Sequence, residues 1–198
     1  MILRHLALAA LTVAGLALAG CVSDQASHAR TQVLVAPGVV FTLPPPDTLE
    51  HSVEALQLVT AHYAREAFVF ETRISVTPKR LLAVGTDLLG RRAMTIEWTG
   101  DDLRAETAPW VPAMLPARNV IADIMLVHWP LDAVSNGLLP RGALQQTSPD
   151  HRVVAVAGRD LIAVDQVAGE PGSWSGQWSY RNLGWGYDLD IQSVESAP

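Results

Sequence analysis

The chain has 198 residues, 49% of them apolar, which is enough to bury the core of a folded domain. Its 20 acidic residues outnumber its 14 lysines and arginines, and the net charge of −6 without a basic run excludes the electrostatic pattern of a nucleic-acid-binding protein. A single cysteine excludes an internal disulfide and a zinc site made of several thiolates.

The N-terminus has the pattern of a bacterial lipoprotein signal. A basic start precedes an apolar run, and Leu18, Ala19 and Gly20 stand directly before Cys21, which matches the lipobox of these signals. The run is shorter than the about 20 residues that span a bilayer. We therefore predict that residues 1–20 are a signal peptide and that Cys21 is the lipidation site. The alternative is an ordinary cleaved signal followed by an unmodified cysteine.

The residues after the anchor predict its destination. Val22 rather than Asp follows Cys21, and by the sorting rule of Gram-negative lipoproteins this predicts an outer-membrane protein that faces the periplasm. Two or three acyl chains hold such a protein stably on its membrane. Residues 21–36 contain few large apolar side chains, so we predict a flexible tether there and a single domain over residues 37–195.

Most of this domain alternates apolar and polar residues with a period of two, which predicts half-buried strands. Short turn signals separate the segments, and they indicate antiparallel neighbours. The segments with this character are residues 39–43, 54–63, 68–76, 81–84, 94–98, 153–157, 161–167, 174–180 and 185–191.

Residues 116–139 are the exception, because apolar residues recur there at helical spacing. Pro116 suits a helix start, and Trp129-Pro130 marks a break before a second short segment. We predict a mainly β (α+β) fold, in which a curved antiparallel sheet forms an incomplete barrel and this helical pair covers its concave face.

Two strings of residues carry a family resemblance. Asn119-Val120-Ile121-Ala122-Asp123-Ile124-Met125-Leu126-Val127-His128-Trp129-Pro130 and Gly186-Tyr187-Asp188-Leu189-Asp190-Ile191 resemble an uncharacterised family of bacterial lipoproteins often encoded in aryl polyene biosynthesis clusters. The resemblance covers about residues 38–195. More distantly, the plan is similar to the lipoprotein carrier LolA and the receptor LolB, in which an incomplete barrel and a helical lid enclose a cavity for acyl chains.

The resemblance to LolB also implies a loop that contacts a membrane or cargo. LolB carries an exposed leucine on a protruding loop, and Leu88 and Leu89 beside Gly90 are the corresponding candidates here. The alternative is that both are core leucines flanking an ordinary turn. A lipoprotein carrier protein is the partner that this resemblance implies.

Catalytic motifs are missing from the sequence. It contains no serine-hydrolase elbow, phosphate loop or zinc-binding helix motif, and we expect no cofactor or metal. Asp123 and His128, five residues apart, are the only plausible acid–base pair. Because Asp123 lies in an apolar helix, it must face solvent or accept a structural hydrogen bond.

Six tryptophans are many for this length, and they form either a solid core or the wall of a cavity. The predicted inward set for a hydrophobic ligand is Met94, Ile96, Trp98, Leu126 and Trp129. Trp174, Trp178, Trp185 and Tyr187 are interpreted as core.

The predicted function is that of a non-enzymatic outer-membrane lipoprotein. It would bind or transfer a lipid, a lipoprotein acyl chain or an aryl-polyene-type lipid in a concave apolar cavity. The alternative is an envelope assembly protein with a solid interior, which docks a protein partner. A third hypothesis is a lipid-modifying enzyme that uses Asp123 and His128.

Overall fold

The computed structural model describes residues 31–111 and 116–196. The predicted signal peptide, the lipidation site Cys21 and the first part of the predicted tether lie outside these residues. Among the helices of the described ranges, none is long and apolar enough to cross a bilayer.

The described residues form thirteen strands and two α-helices. The strands are β1 (Gln32–Ala36), β2 (Val39–Thr42), β3 (Val53–Tyr63), β4 (Glu66–Thr77), β5 (Arg80–Asp87), β6 (Arg92–Trp98), β7 (Leu103–Thr107), β8 (Leu138–Leu139), β9 (Leu144–Ser148), β10 (His151–Val156), β11 (Arg159–Gly169), β12 (Gly176–Asn182) and β13 (Tyr187–Ser196). The helices are α1 (Ala117–His128) and α2 (Leu131–Gly137), and a short 3-10 helix spans Pro46–Leu49.

The main sheet has ten strands in the order β7-β6-β5-β4-β3-β13-β12-β11-β10-β9, and every pair is antiparallel. It consists of two meanders, β3 to β7 and β9 to β13, which the pairing of β3 with β13 joins in the middle. The sheet is large and curved, and its outer strands β7 and β9 do not pair with each other. The prediction of a mainly β, antiparallel and incompletely closed fold with two helices is confirmed at this level.

Tight turns connect the neighbouring strands. Between β10 and β11, Ala157 and Gly158 both have positive φ angles, of 52° and 75°, and Val156 pairs directly with Arg159. Two central residues with positive φ match the right-handed twist of the flanking strands. The turn therefore fixes the register of this hairpin, although alanine is less suited to the conformation than glycine.

A second, three-stranded sheet contains β1, β2 and β8, and it corrects the predicted tether. The last five residues of that segment form β1, where Val33 and Val35 are buried and Val33 pairs directly with Phe41 of β2. Valines at alternate positions bury one face of a short strand even where the composition is polar. Residues 32–36 therefore belong to the folded domain and not to a tether.

The two helices lie where the apolar spacing predicts a helical pair. Pro116 precedes α1, and its ring suits the start of a helix because no intrahelical donor is lost there. The Trp129 N–H donates to the Met125 carbonyl at 2.9 Å, and Pro130 then separates α1 from α2. All residues of α1 from Ile121 to Val127 are buried, so the helix is embedded between other parts of the molecule.

Candidate ligand cavity

A cavity of about 420 Å³ lies between the main sheet and α1. This volume falls within the range of roughly 300–1,000 Å³ that is usual for small-molecule pockets. Most of the side chains around it are apolar, and they come mainly from β3, β4, β5, β6 and β13 of the sheet and from α1. The apolar members are Val59, Ala61, Phe68, Phe70, Ala83, Gly85, Ala93, Met94, Ile96, Val111, Pro116, Val120, Ile124, Trp185, Leu189 and Ile191.

Small residues on β5 and β6 keep this space open. Ala83, Gly85 and Ala93 lie in the wall at positions where larger side chains would occupy the cavity. A Cβ atom added to Gly85 would meet only the Met94 Cγ, at 3.8 Å, which is an ordinary contact distance. The small residues of these two strands therefore contribute to the size of the cavity.

The central strand pair supplies much of the remaining wall. Leu189 pairs with Ala61, and Ile191 pairs with Val59. Directly paired residues share one face of a sheet, so all four side chains point into the same space. Phe70 extends this face onto β4, because it pairs with Val59 on the other side of β3.

The five predicted ligand-binding residues divide into two groups. Met94 and Ile96 line the cavity. Trp98, Leu126 and Trp129 are not part of its wall and are almost completely buried elsewhere in the core. Strand alternation places Trp98 on the same face as Met94 and Ile96, but it does not show where along the strand the cavity ends.

Both of these tryptophans are fixed by hydrogen bonds near the 3-10 helix. The indole N–H of Trp98 donates to the Pro44 carbonyl at 2.9 Å, and that of Trp129 donates to the Thr48 hydroxyl at 2.9 Å. A buried indole needs such an acceptor, and here the chain between β2 and β3 provides both. Their role in the structure is to hold this segment against the core.

Leu88 and Leu89 protrude from the turn between β5 and β6. Their exposed fractions are 70% and 82%, so they are not core leucines. The Asp87 carboxylate accepts hydrogen bonds from the backbone N–H groups of Leu89, at 3.0 Å, and Arg91, at 2.8 Å. These bonds and the positive φ of Gly90 fix the turn that carries the two side chains.

Some of the wall was not predicted from the sequence. Trp185 and Tyr187, which were interpreted as core, line the cavity, whereas Trp174 and Trp178 are buried. The sequence feature that could have predicted this part of the wall is the apolar face of β13, which continues into the apolar face of β3. Using it requires the pairing of two strands that lie at opposite ends of the domain, and local patterns do not contain that information.

One carboxylate lies in this apolar wall. The Asp123 Oδ1 accepts a hydrogen bond from the Tyr180 hydroxyl at 2.6 Å, and its Oδ2 accepts one from the Tyr187 hydroxyl at 2.7 Å. Burial raises the pKa of Asp123 to about 7, although the two hydroxyls act in the opposite direction. Of the two sequence hypotheses for Asp123, exposure to solvent or a structural hydrogen bond, the second is therefore correct. Its hydrogen bonds join α1 to the sheet.

The side chain of Asn182 supports the two tyrosines. Its Nδ2 donates to the Val35 carbonyl at 2.9 Å, and it lies 3.4 Å from the Tyr180 hydroxyl and 3.3 Å from the Tyr187 hydroxyl. This amide therefore connects β1 with the tyrosine pair on β12 and β13. With one N–H bonded to Val35, the second N–H of this buried amide is shared between the two hydroxyls and helps to hold them in position toward Asp123.

His128, at the end of α1, forms a separate polar group in the wall. Its ring stacks on Trp174 with the ring centres 4.1 Å apart, and its Nε2 lies 2.8 Å from the Gln57 Nε2. Burial and the nearby charge of Arg152 lower the pKa of His128 to about 3. The ring is therefore neutral at physiological pH, so its Nε2 accepts the hydrogen bond from Gln57.

Asp123 and His128 have different partners and do not form a hydrogen bond with each other among the bonds of the described residues. In the described ranges, no group of three or more His, Cys, Asp and Glu side chains is arranged to hold a metal ion. His62 has one acidic neighbour, the Asp190 carboxylate at 3.2 Å, and this exposed pair is too small to be such a group.

The fold and cavity define a class of β-rich proteins in which an open antiparallel sheet and a helix surround an apolar chamber. Residues 54–195 match the family described as "Protein of unknown function (DUF3261)", and the chain belongs to this family. The matched segment begins in β3 and ends in β13. It includes the whole main sheet except Val53, the first residue of β3, and Ser196, the last residue of β13. Comparison with curated proteins finds no match.

Proposed function

We propose that this protein is an outer-membrane lipoprotein that binds or transfers a hydrophobic ligand in the cavity between the sheet and α1. The observation that carries the proposal is the open apolar chamber of about 420 Å³. In this proposal the helical pair covers the concave face of a LolA/LolB-like incomplete barrel. The ligand is a lipid, a lipoprotein acyl chain or an aryl-polyene-type lipid.

The energetics of transfer suit such a chamber. Burying about ten methylene groups offers ~8 kcal/mol before ordering costs, so micromolar affinity is the upper limit for a chain of that length. Release into a bilayer is nearly isoenergetic, because the bilayer interior is also apolar. The mechanism is thus partition between two apolar environments and requires neither ATP nor a metal.

Leu88 and Leu89 are the proposed point of contact with the membrane or with a carrier protein. Their strands, β5 and β6, also contribute Ala83 and Met94 to the cavity wall, so the turn and the chamber belong to one hairpin. Exposed leucines on a fixed turn insert into an apolar partner without unfolding the sheet. Cys21 provides the permanent anchor in this proposal.

The alternative is an envelope assembly protein that docks a protein partner, a function that suits a filled interior. The open chamber favours ligand binding instead. The third hypothesis, a lipid-modifying enzyme using Asp123 and His128, has less support because the two side chains are held in separate hydrogen-bonded groups.

Mass spectrometry tests the proposal directly. A form without residues 1–21, expressed in a lipid-rich bacterial host, keeps every described residue and is measured under native and then denaturing conditions. We expect a non-covalent adduct of lipid mass that is lost on denaturation. A bare mass combined with no uptake of fatty-acid or polyene probes would contradict ligand binding and favour partner docking.

A further inference from the structure

The wall of the cavity contains a carboxylate without a cationic partner. Both oxygens of Asp123 accept hydrogen bonds, but the donors are the neutral hydroxyls of Tyr180 and Tyr187. Among the ion pairs of the described residues, none includes Asp123. When this group is ionised, a net negative charge therefore faces an apolar chamber.

Structural support alone does not require an ionisable group at this position. An asparagine side chain would also bond with the tyrosine hydroxyls, and it would avoid the cost of burying a charge. Each oxygen of a carboxylate accepts more than one hydrogen bond, and each Asp123 oxygen uses one of these positions for a tyrosine. The carboxylate is therefore able to bind a further donor from within the cavity.

The other polar side chains in the wall leave this charge uncompensated. Gln57 and His128 bond with each other, and His128 is neutral. The Asn119 amide donates to the Leu34 carbonyl at 2.9 Å, and His62 lies beside Asp190 at an exposed position. Asp123 is consequently the side chain that determines the electrostatic preference of the buried chamber.

We propose that the cavity selects amphiphiles whose polar head is a cationic hydrogen-bond donor, such as a primary ammonium group, over those with a free carboxylate. The inference rests on the proposed function and names its ligand class. In a site of low dielectric, an ammonium group and a carboxylate attract strongly, and their hydrogen bond is charge-assisted. A second carboxylate in the same site would be repelled.

The groups around Asp123 give the pH dependence of this preference. Tyr180 on β12 and Tyr187 on β13 face it from the sheet, and burial together with the Asp123 charge raises the pKa of both, so they stay neutral. His128 on α1 is neutral, and Arg152 on β10 donates to the carbonyls of Leu126 and Trp129. Among these groups Asp123 has the pKa nearest neutrality, and the preference for ammonium heads grows as the pH rises through about 7.

Three probes with the same alkyl chain isolate the effect of the head group. Dodecylamine, dodecanol and dodecanoate are titrated below their micelle concentrations into the chain without residues 1–21. Binding is followed by the change in tryptophan fluorescence, to which Trp185 in the cavity wall contributes. At about pH 8.5 we expect dodecylamine to bind at least about tenfold more tightly than dodecanoate, which corresponds to about 1.4 kcal/mol. Dodecanol, which carries no charge, should fall between them.

Two variants assign this preference to the carboxylate. Asp123→Asn should remove the preference for the amine, so that the dissociation constants of dodecylamine and dodecanoate come within about twofold of each other. Tyr187→Phe keeps the carboxylate but removes a hydrogen bond that lowers its pKa, so the ammonium preference should appear only at higher pH.

The outcomes separate the two proposals. If dodecanol binds but wild type fails to prefer the amine, or if Asp123→Asn keeps that preference, the inference about the head group is wrong and the proposed function stands. If Asp123→Asn does not fold, an unshifted pH profile in Tyr187→Phe overturns the inference instead. If none of the three probes binds, the proposed function fails, and the inference fails with it.

Discussion

Gly85 on β5 faces Met94 on β6, and a Cβ atom at Gly85 would lie 3.8 Å from the Met94 Cγ with no other heavy atom within 4 Å. Its φ angle is not in the left-handed region, so a side chain is allowed there. The space that this glycine leaves empty belongs to the cavity. This relationship gives a way to fill the chamber without disturbing the backbone.

We expect Gly85→Leu to weaken binding of a lipophilic probe by at least about tenfold, because the new side chain occupies the chamber. Gly85→Ala is the matched control, since it adds only the Cβ atom and should retain most of the affinity. Thermal melts of both variants should be at or above that of wild type, because glycine weakens a strand. Unchanged affinity in a folded Gly85→Leu would contradict binding in this cavity.

Asp123 and His128 should make opposite contributions to the pH dependence of stability. Folding raises the pKa of Asp123 from 3.8 to about 7, so its contribution is fully present below about pH 4 and is lost as the pH rises to about 7. Folding lowers the pKa of His128 from 6.5 to about 3, so its contribution is present above about pH 6.5 and is lost as the pH falls.

Each effect is on the order of 4 kcal/mol, and the two offset each other over the shared range because the folded and unfolded states then bind equal numbers of protons. The free energy of unfolding, measured with denaturant across this range, checks the assignment. Relative to wild type, Asp123→Asn should gain stability as the pH rises, and His128→Gln should gain stability as it falls. Parallel pH profiles for all three proteins would show that neither group is perturbed.

Gly137→Ala should destabilise the protein by roughly 2 kcal/mol, although alanine normally favours a helix. A Cβ atom there would lie 2.5 Å from the Thr42 carbonyl oxygen and 2.6 Å from the Phe41 ring, so β2 and the end of α2 would have to move apart. Denaturant unfolding measures the loss. An increase in stability would mean that this contact between helix and strand is looser than the structure has it.

Trp98→Ala should act on stability and leave the affinity of the remaining folded protein unchanged. The side chain is completely buried and hydrogen-bonded to Pro44 outside the cavity, so its removal should cost about 3–5 kcal/mol. Met94→Ala is the useful contrast, because Met94 lines the cavity and its truncation should change probe affinity. Comparison of unfolding curves with probe titrations distinguishes the two residues.

The double variant Leu88→Ser with Leu89→Ser should reduce the rate of ligand transfer to lipid vesicles several-fold. Both side chains are exposed, so the free energy of unfolding should stay within about 0.5 kcal/mol of wild type. Transfer is followed with a fluorescent fatty acid, and equilibrium probe binding in the absence of vesicles is the control. An unchanged transfer rate would remove the proposed contact role of this turn.

The sequence predicts the elements of this fold better than it predicts the cavity. Alternation identifies β4, β6 and β13, and helical spacing identifies the pair α1 and α2, because each pattern depends only on which side of the element is buried. β1 was missed because a polar composition was given more weight than the alternating valines Val33 and Val35. Local patterns determine the face of each strand well.

The site was harder because lining a cavity depends on position along a strand as well as on its face. Met94 and Ile96 were predicted correctly to face inward beside Trp98, yet only the first two reach the chamber. The contribution of Tyr187 was missed, since it depends on the distant pairing of β13 with β3. Asp123 was recognised as unusual, but its tyrosine partners are more than fifty residues away in the chain.

The pairing of β3 with β13 also has a consequence for how the molecule folds. Glu54 pairs with Ser196, so the centre of the main sheet joins residues that are about 140 positions apart. Each meander can form its hairpins locally, but the wall of the chamber is incomplete until β13, which contributes Leu189 and Ile191, pairs with β3. We therefore expect slow folding, with the apolar faces of both meanders exposed to aggregation until the C-terminus docks.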